Sequence, residues 1–199
     1  ALTVQPLPDF PSLEEEHRIL VSGGAVDSIF LTPAWAQAWW RHLGSGELHL
    51  LAMRRQGTLL GLAYLVKQGQ VMRLLGDKEV CDYLDILALP GEEASVARAL
   101  LHWADRSDSI LDLHCLLPDS PLLRHLVPLA QPPEYATRIE ALDVSYVLEL
   151  PSSWEAYLEL LEGKERHELR RKLRRLERGG EVRFYAGQAV AQDMADFLL

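Results

Sequence analysis

From Glu47 to Leu75 the chain reads ELHLLAMRRQGTLLGLAYLVKQGQVMRLL, and this stretch decides the fold. Residues 47–55 alternate or run apolar, Gln56-Gly57 is a turn pair, residues 58–67 form a second run, Gln68-Gly69 is a second turn, and residues 70–75 form a third run. Short runs rich in Leu, Val and Tyr, separated by Gly-containing pairs, predict three antiparallel strands joined by tight hairpins. The flanking sequence supplies helices. The fold class expected is therefore α/β (α+β), with a mixed, mostly antiparallel central sheet flanked by helices.

Upstream of the meander, residues 2–7 read as a strand stopped by Pro8 and Pro11. Pro11-Ser12 followed by three glutamates reads as a helix start, because carboxylates favour the positive end of the helix dipole. Gly23-Gly24 breaks that helix, and Thr32-Pro33 caps and opens another, with Trp35, Ala38, Trp39 and His42 at helical spacing. Downstream, residues 80–89 form an apolar segment, and residues 92–106 an amphipathic helix with Val96, Ala99, Leu100 and Trp103 on one stripe. A strand over residues 109–116, a short helix from Ser120-Pro121 to about Ala130, and one or two strands over 135–150 follow. Ser153 caps a long helix over 154–178, with a break near Gly163; Gly179-Gly180 stops it. Residues 181–185 read as a strand and 189–199 as a helix without a stop signal, which implies a polypeptide that continues.

Of 199 residues, 48% are hydrophobic and 25% charged, a globular composition that excludes a disordered chain. No apolar run approaches a bilayer span, and the start shows no signal-peptide pattern, so a cytoplasmic protein without a membrane span is expected. Two cysteines, Cys81 and Cys115, are too few for a disulfide framework and read as reduced thiols. The net charge is −9, which speaks against general nucleic-acid binding. Residues 164–178 nevertheless carry eight of the twenty basic residues and three acidic ones, a local +5 that leaves −14 elsewhere.

Phosphate-loop, nucleophile-elbow, CxxC and HExxH patterns are all missing, and no metal site is expected. Asp82, Tyr83 and Asp85 are the catalytic candidates, since carboxylates inside an apolar stretch need either a partner or a chemical task. Trp39 and Trp40 could wall a pocket, although tryptophans at helical spacing more often fill cores. The basic helix offers Lys164, Arg166, Arg170, Arg171, Arg174 and Arg175 as anion ligands. Its arginines outnumber the nearby carboxylates, and guanidinium groups pair bidentately with phosphate or carboxylate. A solvated face, or pairing with the acidic body, is the plainer alternative.

The order strand, two helices, meander, helix, strand, helix, strand resembles the N-acetyltransferase (GNAT) superfamily. The segments Ile29-Phe-Leu-Thr-Pro-Ala-Trp35, Trp39-Trp40, Leu74-Leu-Gly-Asp77, Asp82-Tyr83-Leu84-Asp85, Trp154-Glu-Ala-Tyr157, Gly163-Lys164-Glu-Arg166 and Leu169-Arg-Arg-Lys-Leu-Arg-Arg-Leu-Glu177 resemble its CelD-like, cellulose-biosynthesis-associated branch, related to the FemAB peptidyltransferases. The resemblance implies a three-layer GNAT-like fold and two such halves in tandem. Residues 1–150 would be the first domain, 151–180 a basic linker helix, and 181–199 the opening of a second domain. It further implies an acyltransferase moving an acyl group from acyl-CoA (acetyl-CoA) to an amine, sugar or hydroxyl acceptor. The Q/R-x-x-G-x-G/A loop that would hold the acyl-CoA diphosphate has its nearest counterpart at Arg54 to Leu59, without the final small residue. That loop is therefore expected in the C-terminal half, and the present chain alone is expected to be inactive. The alternative is a degenerate, non-catalytic module that docks an anionic partner (RNA, aminoacyl-tRNA or protein) through residues 164–178, with nucleic acid the less favoured choice.

Overall fold

The computed structural model describes residues 2–144 and 146–180; the strand and helix expected over 181–199 lie outside the described residues. The chain divides into two compact units at Leu142/Asp143.

The first unit is a mixed α/β fold. An edge strand, β1 (Thr3–Pro6), is followed by two helices, α1 (Phe10–Ser22) and α2 (Pro33–Leu43). The meander then runs through β2 (Glu47–Arg55), β3 (Thr58–Gln68) and β4 (Val71–Leu74), within a residue or two of the sequence expectation. A two-residue strand β5 (Leu87–Ala88), helix α3 (Glu93–Arg106), strand β6 (Ile110–Leu111) and helix α4 (Pro121–Leu126) complete it. The sheet order is β1-β2-β3-β4-β6, with β5 also paired to β3; all pairs are antiparallel except β4 with β6.

The period-two alternation of β2 and β3 sorts their side chains onto two faces. Leu51, Met53, Ala63 and Leu65 pack with Val96, Ala97 and Leu100 of α3 and Leu122 and Leu126 of α4. Leu50, Ala52, Leu62, Tyr64 and Val66 pack with Leu13 and Leu20 of α1 and Ala36 of α2. The sheet is thus the middle of three layers, and its central strands are buried on both sides, so they read as apolar runs. A bulge at Met53/Arg54 brings Leu59 opposite Arg54 and puts Gly61 under α3. Arg54 uses its position to pair with Glu16 of α1, both largely buried.

Both proline-opened helices are capped by side chains: Asp9 Oδ1 accepts from Ser12 N–H at 2.9 Å, and Thr32 Oγ1 from Trp35 N–H at 3.3 Å. Three expected strands are shorter or missing. Residues 80–86 form a loop, because the Asp77 carbonyl captures the N–H groups of Val80 and Cys81, and Leu84 N–H bonds to Cys115 C=O. Residues 112–116 leave the sheet after Asp112 N–H bonds to Met72 C=O. Among the described residues of 135–150 there is no strand, since no neighbouring backbone pairs with them.

In the second unit the expected long helix is two helices, α5 (Trp154–Leu160) and α6 (Gly163–Gly179), split at Leu161 and Glu162. Ser153 caps α5 as read from sequence, its Oγ accepting from Ala156 N–H at 3.1 Å. No described helix is long and apolar enough to cross a membrane.

Candidate functional site

The first unit has a cleft of about 480 Å³ where β4 and β6 part. The pair is parallel and short, Val71 with Ile110 and Met72 with Leu111. Past it, Arg73, Leu74 and Gly76 line one wall, and Asp112 and His114 the other. Crevices at the carboxyl ends of parallel strands are where open α/β sheets bind ligands.

Backbone geometry leaves an open edge there. Leu75 N–H bonds to Tyr64 C=O at 2.8 Å, which makes Tyr64 and Leu75 a hydrogen-bonded pair of the β3–β4 ladder. By alternation, Leu65 and Leu74 are a non-bonded pair. The N–H and C=O of Leu74 therefore point away from β3, toward the cleft, where β6 no longer runs alongside.

The floor is apolar, with Trp39, Leu43, Val66 and Leu74; the rim carries Ser45, Gln68, Arg73, Asp77, Lys78, Asp112 and His114. Gly76 makes the corner that aims Asp77 inward. Its φ is +136°, and a Cβ there would come within 2.8 Å of Cys81 Sγ. Asp77 Oδ1 accepts from Glu79 N–H at 2.9 Å, closing a local turn, and Oδ2 accepts from the Trp39 indole N–H at 3.2 Å. The opposite rim is tied by Arg73 Nε to Asp112 Oδ2 at 2.8 Å, and Gln68 donates to Ser45 Oγ at 2.7 Å. His114 Nε2 is buried and has no hydrogen-bond partner among the described residues. A buried polar atom left without a partner commonly marks a place where a water or ligand atom belongs.

The sequence candidates are distributed differently. Trp39 is a wall of this cleft; Trp40 packs instead with the α1–α2 side of the core. Asp82 and Tyr83 are exposed on the loop after Asp77 and are not among the cleft's lining residues. Asp85 turns inward. Burial pushes its carboxyl pKa up, while hydrogen bonds from Ser120 and from the N–H groups of Ile86 and Leu122 oppose the shift. Its carboxylate thus ties the loop to the start of α4.

On α6, Arg171 grips Glu168 with two bonds of 2.7 and 2.8 Å and holds that carboxyl below its ordinary range; Lys172 lies 3.8 Å from it. Arg166 donates to Leu161 C=O at 3.0 Å. Lys164, Arg170, Arg174 and Arg175 are exposed and have no acidic partner within 4.0 Å among the described residues.

Asp77, Arg73, Asp112 and His114 were not singled out from sequence as site residues. The only local signal was Gly76-Asp77 directly after an apolar run; the rest of the set is assembled by topology. Among the described residues no group of three His, Cys, Asp or Glu side chains is placed to hold a metal ion. The segment 54–59 is a β-hairpin whose Arg54 and Arg55 are engaged by Glu16 and Glu92, so it does not form a diphosphate cradle. Compared with family models, with curated proteins and with solved structures, the chain matches none.

Proposed function

We propose that this chain is the N-terminal part of a cytoplasmic acyltransferase that moves an acyl group from acyl-CoA to an amine or hydroxyl acceptor, and that the acceptor enters the cleft between β4 and β6. One observation carries the reading: the parting of two parallel strands beside an open backbone edge at Leu74, with a partnerless buried imidazole nitrogen in the lining. The element order of the first unit agrees with the order on which the GNAT resemblance was drawn.

In this reading Leu74 aligns an extended acceptor by strand-like hydrogen bonds, and the Trp39 ring covers its apolar part. Nε2 of His114 takes the proton that the acceptor's nitrogen or oxygen loses as it bonds to the acyl carbon. The carbon–sulfur bond of the thioester breaks, and the thiol leaves. His114 is preferred as base because the carboxylate of Asp85 is occupied by the α4 start. Acyl-CoA itself would be held mainly by residues beyond this chain.

Calorimetry with acetyl-CoA tests the proposal. The whole natural polypeptide should show saturable binding, and the 199-residue chain should not. No binding by the whole polypeptide would overturn the reading.

The partnerless basic groups of α6 favour a second reading, a non-catalytic module that docks an anionic partner. Filter binding across salt concentrations separates the cases, since a site contacting four phosphates of a single strand gives a log–log slope of about −2.8. A flat response removes the nucleic-acid version.

A further inference from the structure

Residues 144–150 read Val-Ser-Tyr-Val-Leu-Glu-Leu, with Val144, Tyr146, Leu148 and Leu150 in strict alternation. These four are 69, 97, 56 and 79% exposed, and the described part of the segment is in neither helix nor strand. Period-two apolar patterning is the mark of a strand with one buried face. Here both the face and the backbone lack a partner. A few residues on, α6 exposes Leu176 at 53% and leaves Leu169 and Leu173 half-buried. A helix with a leucine stripe and a strand with an apolar face each need a covering layer.

The first unit shows how such parts combine. There, β1, α1, α2 and β2 follow in order, and β1 pairs antiparallel with β2, Val4 opposite Met53. Two helices between the strands reverse the chain an even number of times, so the strands meet antiparallel. The second unit repeats the order: the alternating segment, α5, α6, and then, immediately after Gly180, Glu181-Val-Arg-Phe-Tyr185. Val182 and Phe184 of that stretch again alternate with polar neighbours.

We propose that residues 144–150 are the first strand of a second sheet and that its partner is the chain's own segment 181–185, paired antiparallel, with the leucine stripe of α6 lying on the shared apolar face. The length of chain fits. Only Gly180 separates the end of α6 from residue 181, and Gly179-Gly180 supplies the sharp corner that a helix-to-strand reversal needs. The domain boundary then falls before residue 144, in agreement with the division of the chain at Leu142/Asp143 and earlier than residue 150. This inference does not rest on acyl transfer.

Hydrogen exchange on the full 199-residue chain tests it. Alternate amides of residues 144–150 should exchange at least about a hundredfold more slowly than in an unstructured peptide, as ladder amides do. The protection should not vary with protein concentration. In Phe184→Asp it should vanish from 144–150 and stay unchanged in β2 and β3. Three results would overturn the proposal: unprotected amides in the full chain, protection that survives Phe184→Asp, or protection that grows with concentration. The last would assign the strand to a second copy.

Discussion

Gly61 sits in the middle of β3 where α3 crosses it, and Gly61→Ala probes that contact. A Cβ at this position would stand 2.6 Å from both methyls of Val96 and 2.9 Å from the carbonyl oxygen of Leu87. Val96 is fully buried, and Leu87 is held in the sheet by its pairing with Leu62, so neither neighbour yields cheaply. Overpacking a close-packed site costs about 1–3 kcal/mol. Restricting the unfolded chain by replacing glycine returns about 0.4–1 kcal/mol. The net expectation is a loss of about 1–2 kcal/mol, or roughly 2–8 °C in Tm for a chain of this size. Val96→Ala alone should cost about 1.5–3 kcal/mol through lost burial. In the double variant the new methyl occupies the space vacated by Val96, so the two losses should fall short of additive by at least ~1 kcal/mol. Urea denaturation of the four proteins, followed by tryptophan fluorescence, measures the cycle. Strict additivity, or a Gly61→Ala variant more stable than the parent, would refute the claim that α3 rests directly on this glycine.

Asp77→Ala removes acceptors for Glu79 N–H and the Trp39 indole and should cost about 1–3 kcal/mol, whereas Asp77→Asn, which keeps a carbonyl acceptor, should cost less than half of that in the same denaturation assay. Burial lowers the pKa of His17 despite Asp27 at 3.5 Å, and that of His49 beside Trp103, so the unfolded chain takes up protons that the fold refuses. Stability should therefore be flat above the ordinary histidine value of 6.5 and decline as pH falls below it; the slope between pH 5.5 and 6.5 should shrink in His17→Asn/His49→Asn, and an unchanged slope would contradict the assignment. Replacing Arg171 and Arg175 with Ala should leave Tm within about 1 °C, since exposed pairs such as Arg171–Glu168 contribute little, while weakening any anion captured by α6 at least tenfold in a filter-binding titration.

What was legible in the sequence is what local physics dictates. Glycine turns at Gly57 and Gly69 and the apolar runs between them locate β2, β3 and β4, because a central strand must be apolar on both faces. Thr32 and Ser153 announce their helices because a side-chain oxygen satisfies an orphan N–H at either start. Residues 80–86 defeat the same reasoning. They are apolar enough for a strand, yet Leu84 spends its N–H on Cys115, more than thirty residues away. Asp85 likewise looks like a charge in search of a role until Ser120 and Leu122 come round to bond it. No periodicity encodes such partners.

The cleft was hidden for a related reason. Its apolar floor is drawn from α2, β3 and β4, and each of those residues reads as core when taken alone. What makes them a floor is that β6 pairs with β4 for only two residues and then departs, leaving Leu74 with a backbone edge and no strand to use it. A sheet normally hides such an edge or protects it with charge. Here Arg73, Asp112 and Lys78 ring the opening while Trp39 backs it, an arrangement that keeps another protein's strand out yet admits a small polar ligand with one flat apolar side. The unused edge of β4 and the partnerless nitrogen of His114 therefore belong to one argument. Each is a backbone or side-chain donor or acceptor that folding alone leaves without an occupant, and both lie on the walls of the same cleft.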